Sequence, residues 1–386
     1  MAVTVKKLYK NGSFLYKMNL IAGQNGLSNL VKWVHIIEDN AVSSFLHGNE
    51  LVFTAGILNH SEDWLLNFVH GLKNANASAF VVNIGPHTKE VPAEVIDYCN
   101  KIEMPLFTIP WETKMVDMTR DFCYRIMRNE NTESNIASTI KNIIFNIGDF
   151  DTQVMQMERY GYQRNSTFCF VSIAVNNKKS ISFASYMDSI ELIAEKIAKG
   201  MHELFISFSY KEYLNFVLVN FTDAEIEEFV SKFLMLTKDT LEGLDVHVGI
   251  SSNQTGIYNQ NINFERALSA LEMAVNKNEK VCLYDRMGIY KVLYSVNDKS
   301  VLRNYYNETI GKLEIYDREN QTQLMQLLQT YLENNGSLQL VSEKMYIHRN
   351  TVTNQLNRIE KITGYNPMDL EHKVKLYMGM YIRDIL

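Results

Sequence analysis

The hydrophobic period of this chain changes partway along it, and that change limits the fold more than any other feature. Up to about residue 295, short β-branched and aromatic runs alternate with stretches whose apolar residues recur at helical spacing; from about 298 onward only the helical period remains. Alternation of strands and helices requires a sheet with helices on its faces, whereas an exclusively helical tail must pack helix on helix. At 386 residues the chain exceeds one ordinary domain, so the segments read as separate units with cores of their own. The expected fold class is therefore α/β and α+β multidomain, closed by an all-α domain.

Four units follow. Residues 1–112 carry strand-like runs at 33–37, 50–54, 79–84 and 105–109, with helical patterns at 61–75 and 92–102 between the later ones. This predicts an α/β domain whose largely parallel sheet is covered on both faces. From 113 to 147 one helical register places Met115, Met118, Phe122, Ile126, Ile136, Ile140, Ile143 and Ile144 on a stripe. Such a stripe must be buried on a domain or on a twin helix, so 113–160 reads as a helical linker available for dimerisation. Residues 161–297 read as strand (167–175), helix (185–199), paired strands (204–209 and 213–219), helix (223–240), strand (246–250), helix (262–276) and strand (281–284). That is the β-α-β-β-α-β order of a ferredoxin-like or cyclase-palm unit. Residues 298–386 are helical.

Composition excludes several classes. With 46% apolar and 21% charged residues the chain can build cores. No apolar stretch approaches the roughly 18 residues of a membrane span, and the start lacks a signal-peptide pattern, so a soluble, cytoplasmic protein without membrane partners is expected. Cys99, Cys123, Cys169 and Cys282 are scattered singly and read as buried thiols. His35 and Glu38, three apart on a strand, point to opposite faces. His202-Glu203 lacks the second histidine of a zincin helix, and neither a P-loop nor a G-x-S-x-G elbow is present. No metal, cofactor or catalytic residue is expected, and the chain does not read as an enzyme.

The tail carries the most chemistry. A helix over 321–332 stops at Asn334-Asn335-Gly336, and Ser337 is a good N-cap for a second, short helix bearing Leu338, Val341 and Met345, with small Ser342 beside them. A third helix, 348–363, buries Val352, Leu356, Ile359 and Ile362; Gly364 ends it and Pro367 prevents its resumption. Two short helices joined by about three residues make a helix-turn-helix pattern. Facing outward on the third are Arg349, Asn350, Thr351, Thr353, Asn354, Asn357, Arg358 and Lys361, the side-chain types that bond base edges and phosphates. No acid lies between Arg349 and Ile359, although a cation in a helix's first turn opposes the macrodipole by roughly 0.3–1 kcal/mol. An anionic partner would compensate. The chain is −6 overall, but residues 336–386 hold seven Lys/Arg against five acids. On these residues alone, an ordinary solvated helix or a protein-binding adaptor helix is the other reading.

The run Ser337 to Val352, above all Ile347-His348-Arg349-Asn350-Thr351, followed by Leu356, Arg358-Ile359-Glu360 and Thr363-Gly364, resembles the C-terminal helix-turn-helix of the PucR family of bacterial regulators. Val3 to Leu8, Ala22 to Leu27, Lys32 to His35 and Gly48 to Gly56 are similar to that family's N-terminal sensory domain, and the middle resembles its degenerate GGDEF-like domain. The resemblance implies a DNA-binding transcriptional regulator, cytoplasmic and bacterial, that acts as a homodimer or higher homo-oligomer and responds to a small-molecule effector. Three departures stand out: Asn49 where a second glycine is usual, Ala55 where Thr is common, and Ser342 in place of Ala. The turn Ser209 to Tyr213 lacks the paired glycines and adjacent acids of a working cyclase, so the alternative of residual nucleotide-cyclase chemistry is not expected. For the effector, Thr54 and Gly56 sit at the carboxyl end of a strand, where α/β domains bind ligands, and Glu38 and Glu50 are candidate contacts. Gly85-Pro86 is similarly placed but reads as a plain turn.

Overall fold

A computed structural model describes residues 2–58, 63–177, 183–202, 204–240 and 244–386. Glu203, and residues 61–62 at the start of the helix expected over 61–75, lie outside these. Backbone proximity divides the chain into two compact units, Met1–Val171 with Val175–Val246 and Asn253–Phe264, and Ser172–Ala174 with His247–Ser252 and Glu265–Leu386.

The first unit begins with β1 (Val3–Thr4) and α1 (Val5–Leu15), followed by β2 (Asn19–Ala22), β3 (Leu30–Val31), β4 (Trp33–Ile36), β5 (Glu50–Thr54), α2 (Trp64–Asn74), β6 (Ala79–Ile84), α3 (Ala93–Lys101) and β7 (Leu106–Pro110). The sheet order is β2-β7-β6-β5-β4. Strands β4 to β7 are parallel and β2 joins antiparallel to β7. Side-chain alternation sorts this sheet into two cores. Leu51, Phe53, Ala79, Val81, Phe107 and Ile109 pack with Val5 and Leu8 of α1, while Val52, Phe80, Val82 and Leu106 pack with Leu65, Phe68 and Leu72 of α2 and Val95 and Cys99 of α3. Both faces are thus covered, as the uninterrupted apolar strands require. The sequence pattern did not show α1, whose Asn11-Gly12-Ser13 stretch reads as a breaker, or β2, which leaves only Ala22 fully buried.

The connector is a single 30-residue helix, α4 (Met115–Ile144). Its first half buries Met118, Phe122 and Ile126 on the sheet, where the Phe122 ring lies 6.3 Å from Phe53 and 6.1 Å from Tyr16. Its second half buries Ile136, Ile140, Ile143 and Ile144. The stripe left open to a domain or a twin is therefore already covered within this chain. After α5 (Phe150–Arg159) come β8 (Thr167–Asn177), α6 (Phe183–Met201), β9 (Phe205–Tyr210), β10 (Tyr213–Val219), α7 (Asp223–Thr240) and β11 (Leu244–Ile250), then β12 (Gln254–Thr255), α8 (Gln260–Asn276) and β13 (Val281–Leu283). These form a second sheet in the order β13-β11-β8-β10-β9, with β12 paired to β8. The β9–β10 hairpin turns at Lys211 with φ 52°.

The tail is helical throughout: α9 (Tyr290–Tyr294), α10 (Lys299–Tyr306), a π-helical turn at Asn307–Gly311, α11 (Lys312–Asn320), α12 (Leu324–Glu333), α13 (Leu338–Met345), α14 (Arg349–Thr363) and α15 (Leu370–Arg383). Helix α12 starts at Leu324, not at 321, because Gln321 is left-handed (φ 53°) and the Asp317 carboxylate accepts from the Leu324 and Met325 amides at 2.9 and 2.8 Å. A cap supplied from seven residues upstream leaves no local sequence signature.

Phe122→Ala would remove a fully buried ring from beneath the first sheet and should cost about 3–5 kcal/mol. Denaturant unfolding followed by fluorescence of the sheet domain checks this; a loss under 1 kcal/mol would mean that α4 does not hold the sheet.

Candidate nucleic-acid interface

Helix α14 is fixed from below by the tail's own core. Val352, Leu356 and Ile359 are fully buried and pack with Val341 of α13, Leu327, Leu328 and Tyr331 of α12, and Leu376 and Met380 of α15. Local chemistry then sets the junctions. Ser337 Oγ accepts from the Leu340 amide at 3.3 Å and starts α13. Tyr346 adopts φ 54° and ends it, with the Ile347 amide donating back to the Ser342 carbonyl at 3.1 Å. His348 Nδ1 accepts from the Asn350 amide at 3.2 Å and opens α14. Gly364, at φ 81°, closes it in a backbone conformation that a side chain would strain.

Of the eight outward residues expected from the sequence, Arg349, Asn350, Thr351, Asn354, Asn357, Arg358 and Lys361 are exposed on α14. Thr353 is half-buried, and its hydroxyl donates to the Arg349 carbonyl at 3.3 Å. Arg358 does not extend freely: its guanidinium lies 5.1 Å over the Tyr316 ring and donates to the Tyr316 hydroxyl. The first turn of α14 contains no acid. The positive end of the helix dipole and the Arg349 charge therefore add to a positive potential on that edge.

Sequence reasoning missed two neighbours of this face. Tyr346 is 95% exposed in the turn between α13 and α14, a left-handed position usually announced by Gly or Asn. Tyr316, which orients Arg358, comes from α11, 42 residues away, and only the fold reveals the pair.

The four effector candidates do not form one site. Glu38 is used structurally: its carboxylate accepts from Thr54 Oγ1 at 3.1 Å and from the Ala55 and Ile57 amides at 2.9 and 3.0 Å. Gly56 follows at φ 73°, where a Cβ would lie 2.4 Å from Thr88 Oγ1. Glu38, Thr54 and Gly56 are thus one clamped loop at the carboxyl edge of the sheet. Glu50 begins β5 at the opposite edge, where it accepts from the His47 amide at 2.8 Å. Gly85 forms a tight turn, its amide donating to the Thr88 carbonyl at 2.8 Å.

A short helix ending in a left-handed residue, a three-residue turn and a capped helix with an acid-free polar face define a helix-turn-helix unit. Comparison with known proteins places it more narrowly. Residues 324–382 match the PucR C-terminal helix-turn-helix domain and residues 7–126 match the purine catabolism regulatory protein-like family. It is similar to the proline-responsive transcriptional activator PutR of Bacillus subtilis, 25% identical over 40% of this chain and 38% of that one. It is also similar to the DNA-binding transcriptional activator AdeR of the same organism, 22% identical over 67% of this chain and 62% of that one. The matches thus span less than two thirds of either relative. The crystal structure of a regulator of polyketide synthase expression from Bifidobacterium adolescentis matches over 64% of this chain and 97% of its own at 17% identity, with a TM-score of 0.33, too low to carry an arrangement across. Among the described residues no helix is long and apolar enough to cross a membrane.

The caps make the tail's stability depend on acid. Asp369 accepts from the His372 amide at 3.0 Å at the start of α15, and that bond holds its carboxyl below the usual value. A depressed folded-state value means that the cap stabilises fully above the ordinary carboxylate range and is lost as pH falls below that range and through the depressed value. Asp369→Ala should therefore lower the tail's melting temperature at neutral pH, and the gap to wild type should close as the melts are taken to acid pH below the ordinary carboxylate range. An equal gap at both ends would show that the carboxylate is not the cap.

Proposed function

We propose that this chain is a DNA-binding transcriptional regulator that reads duplex DNA with α14 and responds to a small-molecule effector through its N-terminal α/β domain. The observation that carries this is the acid-free, amide-, hydroxyl- and guanidinium-bearing face of α14, held outward by a buried apolar stripe in a segment that matches a helix-turn-helix model. Such a face offers the donors and acceptors that distinguish base pairs in the major groove. Arg349 and Asn350, on the leading turn, enter the groove; Thr351, Thr353, Asn354 and Asn357 line it; Arg358 and Lys361, further back, meet the phosphates.

The relatives are named as transcriptional activators, which supports a regulatory rather than enzymatic role for this chain as well. The working division is a sensory domain at 1–112, a helical linker at 113–160, a middle domain at 161–297 and a reader at 298–386. The β8-α6-β9-β10-α7-β11 order supports a ferredoxin-like, degenerate GGDEF-like middle domain, and the Lys211-Glu212 turn there carries neither a glycine pair nor paired acids. Action as a symmetric homodimer in the bacterial cytoplasm would place two readers on half-sites about one helical turn apart. The effector acts by binding one arrangement of that dimer more tightly than the other.

Fluorescence anisotropy with a duplex selected from a random-sequence library tests the reading. Arg349→Ala should weaken selected over random duplex by about 1–3 kcal/mol, whereas Lys361→Ala should weaken both alike and reduce the salt slope by about 1. Wild-type selectivity in Arg349→Ala would remove that residue from the groove, and absence of any salt-dependent binding by the full chain would sink the function.

A further inference from the structure

Between α1 and the first half of α4 lies an open groove of about 340 Å³, within the size range of small-molecule sites. Its lining sets three cations, Lys7, Arg125 and Arg128, against one carboxylate, Asp121, and that carboxylate is taken by Arg125 at 2.9 Å. Among the described residues Arg128 has no carboxylate partner and Lys7 Nζ is held only by the neutral Asn129 Oδ1 at 3.0 Å. Buried Val3 and Leu8 give the groove an apolar side, and the exposed Tyr124 ring gives it an aromatic one.

We infer that this groove binds a small organic anion, a carboxylate- or phosphate-bearing metabolite, whose charged group is clasped by Lys7 and Arg128 while its body rests on Val3, Leu8 and Tyr124. The excess of positive charge supplies the attraction, and a guanidinium beside an ammonium suits an oxyanion with several lone pairs. The inference deepens the sensory reading proposed above and rests on it for its consequence, because the groove's hydrogen bonds run to a second element. Asn129 Nδ2 reaches the Ala2 carbonyl at 3.5 Å, and Lys199 of α6 donates to that same carbonyl at 2.9 Å. Lys199 also pairs with Glu195 and, at 2.7 Å, with Glu133, four residues beyond Asn129 on α4. An anion that draws Lys7 away from Asn129 therefore alters the polar joint between α4 and α6.

The test is isothermal titration calorimetry of the full chain with succinate, benzoate and glycerol 3-phosphate, each against wild type, Lys7→Ala, Arg128→Ala and, as control, Arg120→Ala, an exposed α4 residue outside the groove. At least one probe should bind, with affinity reduced about tenfold or more by Lys7→Ala and by Arg128→Ala and unchanged by Arg120→Ala. The succinate and benzoate arms against the phosphate arm assign the anion type. No binding by any probe, or equal binding in Arg128→Ala, overturns the groove. Duplex affinity measured with and without saturating probe separates the two ideas: groove binding that leaves duplex affinity unchanged supports the site and overturns sensing there. Duplex binding that responds to a probe equally in wild type and Arg128→Ala keeps sensing and overturns the groove.

Discussion

The first unit depends on the burial of one helix along most of its length. Thirty α-helical residues extend about 45 Å, longer than a small domain is wide, so α4 must lay its apolar stripe on more than one surface. It does so in two stretches, Met118 to Ile126 beneath the N-terminal sheet and Ile136 to Ile144 in the middle segment, separated by the polar residues around Asn129 and Glu133. Removing either stretch would expose several large aliphatic or aromatic groups at once, each worth about 1.5–3 kcal/mol of burial. A helix committed at both ends transmits a rotation or shift where a flexible linker would absorb it.

The break between those stretches is where polar chemistry is concentrated. Lys199, Glu133 and Glu195 are largely withdrawn from water, and burial holds the Glu133 carboxyl above its ordinary range against the pull of Lys199. Buried ion pairs of this kind add little net stability, because desolvation offsets attraction, but separating the partners is costly. They therefore fix geometry, here the angle at which α6 meets α4, more than they strengthen the fold.

Much of this was legible in the sequence where the physics is local. Strands β5, β6 and β10 and helix α7 fall on the residues that periodicity marks, since continuous apolar runs and 3.6-residue stripes are properties of neighbouring positions. The α13–α14 unit was equally plain, because Ser337 and Gly364 announce its ends. What escaped was set at a distance or against local preference: α1 holds a glycine mid-helix, α12 takes its cap from Asp317, and Tyr346 is left-handed without being Gly or Asn. The separation of the effector candidates was hidden for the same reason. Glu38 and Glu50 look alike in sequence, yet one ties down a loop after β5 and the other sits at that strand's beginning.

The placement of Arg358 on Tyr316 bears on the thermodynamics of recognition. A long cationic side chain normally surrenders its rotational freedom when it docks, at about 0.5–1.5 kcal/mol. Here the aromatic platform holds the guanidinium before any encounter, so that part of the ordering cost falls on folding instead. Any contact this arginine makes would accordingly lose less rotational freedom than one made by an unbraced side chain such as Lys361.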